Sequence, residues 1–193
     1  MEKYTKSTNL YDRAMPHGKV NLRISGFSEQ NIITIQQVKS AIDALPRSHL
    51  SGIEEIRHQT NHLYISKEGE PFYTPRFSKA VFVQNDKIIL IHHFKDLPEF
   101  LHVIYHEIGH HVFYHVISGA IRKLWVTGIY PSARPITKYG DKNASEDFAE
   151  CYAHFMTNPK QLNVIAKKYQ FMRDKVFGGV SVDVTHGHVD LKA

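Results

Sequence analysis

The sequence predicts an α+β fold, with helices and strands grouped in blocks rather than alternating as βαβ units. Three observations lead there. A capped amphipathic helix opens the folded part, four short runs rich in β-branched residues follow it, and the second half of the chain has helical periodicity. At 193 residues, 42% hydrophobic and 22% charged, the chain suits one domain with a sizeable core.

Residues 1–30 read as a polar, partly irregular N-terminal segment punctuated by Pro16, Gly18 and Gly26, with an alternating run at 20–24 that fits a short strand. Thr34 and Gln37 have capping-box spacing, and Ile35, Val38, Ile42 and Leu45 behind them recur at helical intervals until Pro46. Residues 53–57, 63–66, 79–84 and 87–92 read as strands, the last two joined as a hairpin across Asn85 and Asp86. Asp96, followed by Pro98 and Glu99, caps a long helix. Its apolar positions, from Phe100 through Val103, Ile104, Ile108, Val112 and Phe113 to Val116, carry it to residue 117. Gly119, Gly128, Pro131, Pro135 and Gly140 predict a long loop over 118–143 with one helical turn near 121–125; a connection of that length is more often functional than idle. A third helix is expected over 144–156 and a fourth from Pro159 to 176. The folded domain is therefore placed at 31–177, with a loose or strand-like tail over 178–193.

Composition excludes several classes. Lys+Arg 24 against Asp+Glu 19 leaves a net charge of only +5, so no nucleic-acid partner is expected. No apolar run approaches the roughly 20 residues of a membrane span. The single cysteine, Cys151, rules out an intramolecular disulfide framework and leaves the compartment open. The first seven residues contain lysines without a following apolar run, so no secretory signal is visible, and both secreted and cytoplasmic locations fit. The count that stands out is 14 histidines, the usual neutral metal ligand and a group that titrates near pH 7.

On the long helix stands His106-Glu107-Ile108-Gly109-His110. Histidines four apart project from one helix face and can reach one ion, while Glu107, offset by one position, can take a proton from water without ligating. A shuffled chain of this composition would contain such a pentapeptide about one time in twenty, so a third ligand decides the matter. His115, nine residues beyond His106, rises roughly 13 Å along the helix and lacks the glycine that a bend would need. Glu146 and Glu150 on the third helix are the better source. Four apart on one face, they repel unless something positive lies between. An ion bound by one, with the other accepting the Nδ1–H of a ligand histidine, uses both; the bland alternative is a solvated acidic stripe. His154 continues the stripe by a turn. His92, His93, His102, His111, His115, His186 and His188 are expected to be structural or on the surface.

The run from Tyr139 to Glu150 resembles the second motif of the anthrax lethal factor protease domain, which the Pro-Pro endopeptidases share. In that family a tyrosine precedes the ligand glutamate by seven residues, and the glutamate opens a Glu-x-Phe-Ala-Glu segment; Tyr139, Glu146, Phe148, Ala149 and Glu150 match. Leu45-Pro46 followed by residues 53–56 also resembles the family's first helix and strand, so the likeness spans roughly residues 34–175. It implies a zincin-like metallopeptidase domain and a zinc endopeptidase of the gluzincin type, monomeric, acting on a peptide or protein. It further implies zinc held by His106, His110 and Glu146, with Glu107 as general base and Glu150 orienting His106. Tyr139 would donate to the oxyanion or the leaving amine, with Tyr105 and Tyr130 as less suitable competitors. The peptide would add to a sheet edge supplied by residues 82–85 or 88–91. Asp147 departs from the pattern, since an aromatic residue usually stands there. Nothing resembles the toxin's docking domains, so its substrate is not implied. Arg122, Lys123, Trp125, Arg134 and Lys138 are expected along one side of the cleft, favouring acidic or proline-rich peptides.

Two other classes share these features. A regulatory metallopeptidase of the ImmA/IrrE type, acting on a repressor, has similar helices, but the long separation of His110 from Glu146 and the position of Tyr139 argue against it. A non-catalytic, toxin-like binding module has no need of Glu107.

Overall fold

A central strand of four consecutive buried residues organises the molecule. It is β7 (Ile88–Ile91), the last of the strands that precede the long helix. In chain order the others are β1 (Glu2–Tyr4), β2 (Leu22–Ser25), β3 (Glu55–His58), β4 (Leu63–Ile65), β5 (Pro71–Tyr73) and β6 (Ala80–Val83). The computed structural model describes residues 2–4, 21–185 and 188–192, so residues 5–20 of the polar N-terminal segment and His186 lie outside the described residues.

Among the described residues one mixed sheet has the order β1-β2-β3-β7-β6, parallel between β2, β3 and β7 and antiparallel at both outer pairs. The parallel pairs require crossover connections, and α1 (Ile35–Asp43) with the short α2 (Arg47–Leu50) supplies the one between β2 and β3. The predicted capping box is present: Gln37 N–H donates to Thr34 Oγ1 and Thr34 N–H to Gln37 Oε1. Strands β6 and β7 form the expected antiparallel hairpin, its turn fixed by Asp86, which accepts from the Tyr64 hydroxyl at 2.7 Å and from Lys67 N–H. Strand β5 was not anticipated from the sequence. It pairs with β4 in a separate two-stranded sheet and is exposed throughout, so it lacks the alternation that would mark it.

The long helix α3 (Leu97–His111) begins at the Asp96 cap and continues through a π turn to Val116. It packs against β6 and β7 on one side and against α5 (Ala144–Thr157) on the other, and is buried on most of its surface. Gly109 makes the second contact possible. A Cβ there would lie 2.9 Å from Ala149 Cα and 3.1 Å from Tyr152 Cβ.

Residues 118–143 correct the expectation of a long loop. They hold α4 (Gly119–Leu124), a π turn over Trp125–Ile129 and two 3-10 turns, Tyr130–Ser132 and Gly140–Lys142. Ser118 caps this helix, and fully buried Trp125 anchors the segment, donating to the Ala144 carbonyl and packing edge-on against Phe148. The fourth predicted helix is broken into α6 (Pro159–Asn163) and α7 (Ala166–Phe171), followed by a π turn to Val176. Ile165, with φ −109° and ψ 71°, interrupts it. The tail is strand-like: β8 (Ser181–Thr185) pairs with β9 (His188–Lys192). Asp147 is buried beside α7, where Lys168 Nζ meets its Oδ1 at 2.6 Å. An ion pair thus occupies the place where the resemblance stated above implies an aromatic ring. Among the described residues no helix is long and apolar enough to cross a membrane. The fold is α+β with a small mixed sheet, as the sequence predicts.

Candidate metal centre

Because α3 and α5 approach closely at Gly109, the faces carrying the histidines and the glutamates meet. His106 Nε2, His110 Nε2 and Glu146 Oε2 form a nearly regular triangle, 3.1 Å between the nitrogens and 3.2 Å from each nitrogen to the oxygen. Hydrogen bonds on the far sides of the rings fix what these atoms offer. His106 Nδ1–H donates to Glu150 Oε1 at 2.8 Å, and His110 Nδ1 lies 3.1 Å from Ser145 Oγ. When both imidazoles are neutral and donate through Nδ1, both Nε2 atoms turn lone pairs toward Glu146 Oε2. That oxygen is buried and has no hydrogen bond of good geometry among the described residues. Three acceptors converging in a buried place repel unless a positive charge lies among them.

The same crowding appears in the ionisation. Burial works against the charged form of His106, but Glu146 and Glu150 outweigh it and push the imidazole up to about 10. Burial also disfavours charge on Glu146 and Glu150. The facing imidazoles nevertheless hold both carboxyls well below their ordinary range. A proton on His106 can fill the role of the missing charge, and so can a cation. A tetrahedral zinc ion with nitrogen and oxygen ligands at its usual bond lengths keeps those ligand atoms about 3.3 Å apart. The donor set and its spacing therefore fit zinc.

The residues expected to act as ligand, base, donor or orienting group all lie among the described residues. Glu107 is buried to 7% exposure beside the triangle and lines a cleft of about 350 Å³ together with His106, Tyr139, Glu150 and His102. The far wall is Phe77, Ser78, Lys79 and Ala80, at the start of β6. Tyr139 is half-exposed, edge-on to His106 with ring centroids 5.7 Å apart, and Lys142 Nζ caps its ring at 3.6 Å. Burial and the charges of Glu146, Glu107 and Glu150 raise its pKa, so the hydroxyl keeps its proton. The competing tyrosines are occupied elsewhere: Tyr105 donates to the Ala41 carbonyl in the core, and Tyr130 to that of Asp141.

Two expectations change, and one residue gains a partner. His102 keeps to the expectation of a structural or surface residue. It stands one turn before His106, with Nε2 3.3 Å from Glu150 Oε1. Its i−4 spacing from His106 was the signal that could have found it. Trp125 belongs to the core rather than the cleft. Residues 88–91 cannot offer a sheet edge, because β7 is paired on both sides; among the described residues β6 is the edge on that side. His111, by contrast, is structural as expected. Its Nε2–H donates to the Ser51 carbonyl, and its ring packs edge-on against Phe82.

No protein-family model matches the chain, and no curated protein or solved structure matches it.

Proposed function

We propose that this protein is a zinc-dependent endopeptidase with a zincin-like catalytic domain of the lethal factor type. The observation that supports it most is the triangle of His106 Nε2, His110 Nε2 and Glu146 Oε2, with lone pairs converging and ligand-to-ligand spacing suited to zinc. His106, His110 and Glu146 would hold the ion. When bound, zinc supplies Lewis-acid polarisation of a carbonyl and acidifies a water molecule.

The chain's own groups have separate tasks. Glu107, in the cleft wall beside the ligand set, takes the proton of the attacking water on its carboxylate and delivers it to the departing nitrogen. Tyr139 presents a protonated hydroxyl to the same cleft and donates to the carbonyl oxygen as it gains charge. Glu150 accepts the Nδ1–H of His106, which fixes the ring's tautomer and orientation. The side of β6 that is unpaired among the described residues, with Lys79 and Ala80 in the cleft wall, suits a peptide that adds as a further strand.

The test is removal and return of metal. Chelator-stripped protein is expected to leave a peptide library intact, and one equivalent of zinc to restore cleavage. Cleavage by the stripped protein contradicts the proposal.

A further inference from the structure

The ligand-bearing helices repeat their chemistry by one more turn. On α3, His102, His106 and His110 stand at intervals of four; on α5, Glu146, Glu150 and His154 do the same. The two ladders face each other in opposite directions. His110 and His106 meet Glu146, and His106 and His102 meet Glu150. We infer that His102, Glu150 and His154 form a second divalent-cation site, one helical turn from the first and filled after it. Only the order of filling rests on the reading of His106, His110 and Glu146 as the first site.

The ligand atoms of His102, Glu150 and His154 all lie within 4.8 Å of one another. His154 Nδ1–H donates to the Glu150 carbonyl oxygen at 2.9 Å, which turns the Nε2 lone pair away from its own helix. Its ring stands edge-on to that of His102, with centroids 5.1 Å apart. Two imidazoles and a carboxylate repeat the donor set of the first site and suit zinc again. An ion can reach them, because His102 and Glu150 line the cleft. Glu150 serves both sites. A carboxylate has about four lone-pair positions, so it can keep the His106 Nδ1–H and ligate a second ion. Two features make this site the weaker one. His154 makes no ion pair with the Glu150 carboxylate, whereas His106 and His110 both meet Glu146 at 3.2 Å, and the ion must displace the His102–Glu150 hydrogen bond.

Calorimetric titration of metal-stripped protein with zinc tests this without reference to activity. The wild type is expected to take two equivalents, the second at least about 10-fold more weakly. His102→Ala, a change at a half-exposed position, is expected to take one, as is His154→Ala. Glu150→Gln should lose the second equivalent and bind the first about 10-fold more weakly or worse. A single equivalent in the wild type overturns the second site and leaves the first; no uptake overturns both. Two equivalents in His102→Ala also overturn the inference, whether or not the more buried His154→Ala folds.

Discussion

Tyr139 illustrates how much a single side chain's position constrains its role. Its ring stands edge-on to His106, its hydroxyl is held protonated by burial and by the surrounding carboxylates, and it lines the cleft without belonging to the ligand triangle. Tyr139→Phe is therefore expected to lower turnover by about 10²–10³-fold, the usual effect of losing one oxyanion donor, and to leave zinc affinity unchanged. Steady-state kinetics beside a zinc titration checks both. An unaffected turnover assigns the donor role elsewhere. At this scale the sequence was most legible where spacing encodes geometry. Four-residue intervals on a helix bring His106 to His110 and Glu146 to Glu150, whatever the remainder of the chain does. His102 obeys the same interval, yet its role depends on which residue of α5 lies opposite. Only the packing of the two helices decides that. Trp125 was misplaced for a related reason: a tryptophan among basic residues reads as a surface feature until its indole N–H finds the Ala144 carbonyl.

Among the elements, the contact of α3 with α5 determines whether a centre exists. Gly109 permits it, and the need is steric. The modest substitution Gly109→Ala sets a Cβ 2.9 Å from the backbone of Ala149, so α5 must move, and Glu146 and Glu150 move with it. Overpacking of this kind costs about 1–3 kcal/mol, and zinc binding should weaken in parallel. Urea unfolding and competitive zinc titration measure the two effects; full zinc affinity in the variant contradicts the steric account. Element boundaries were legible where local chemistry sets them, as at Thr34 and Asp96, whose side chains cap the helices that follow. They were not legible where tertiary contacts overrule local signals. Prolines and glycines over 118–143 read as loop, but burial of Trp125 and the Ser118 cap organise much of it as helix. A continuous helical period over 159–176 did not reveal the break at Ile165. The alternatives of 82–85 and 88–91 as the sheet edge were resolved by strand order, which no local pattern encodes.

For the molecule as a whole, histidines serve in two places among the described residues: His102 and His106 line the cleft, whereas His49, His92 and His111 are buried and hold the fold through hydrogen bonds. The second group makes stability depend on acid. His111 is buried, with Nδ1 unpartnered, and its pKa is lowered from 6.5 to about 4, chiefly by burial. Its depressed pKa means that the unfolded chain takes up this proton at a higher pH than the folded one. Its stabilising contribution is thus complete above pH 6.5 and is lost as the pH falls toward 4. His111→Phe, which keeps a ring against Phe82, should lose less melting temperature than the wild type between pH 7 and pH 5. An identical loss in both proteins contradicts this assignment.

In the proposed function a bound zinc and Glu107 act together on a peptide bond, the one as ligand-held Lewis acid and the other as base. Glu107→Gln separates them, because the amide keeps the shape of the carboxylate and cannot accept the proton. The decisive measurement is zinc content and peptide-library cleavage on the same sample of Glu107→Gln, set beside the wild type. The variant is expected to keep the tightly held zinc and to lose cleavage by at least about 100-fold; undiminished cleavage, or a variant that no longer holds zinc, would contradict the proposed function.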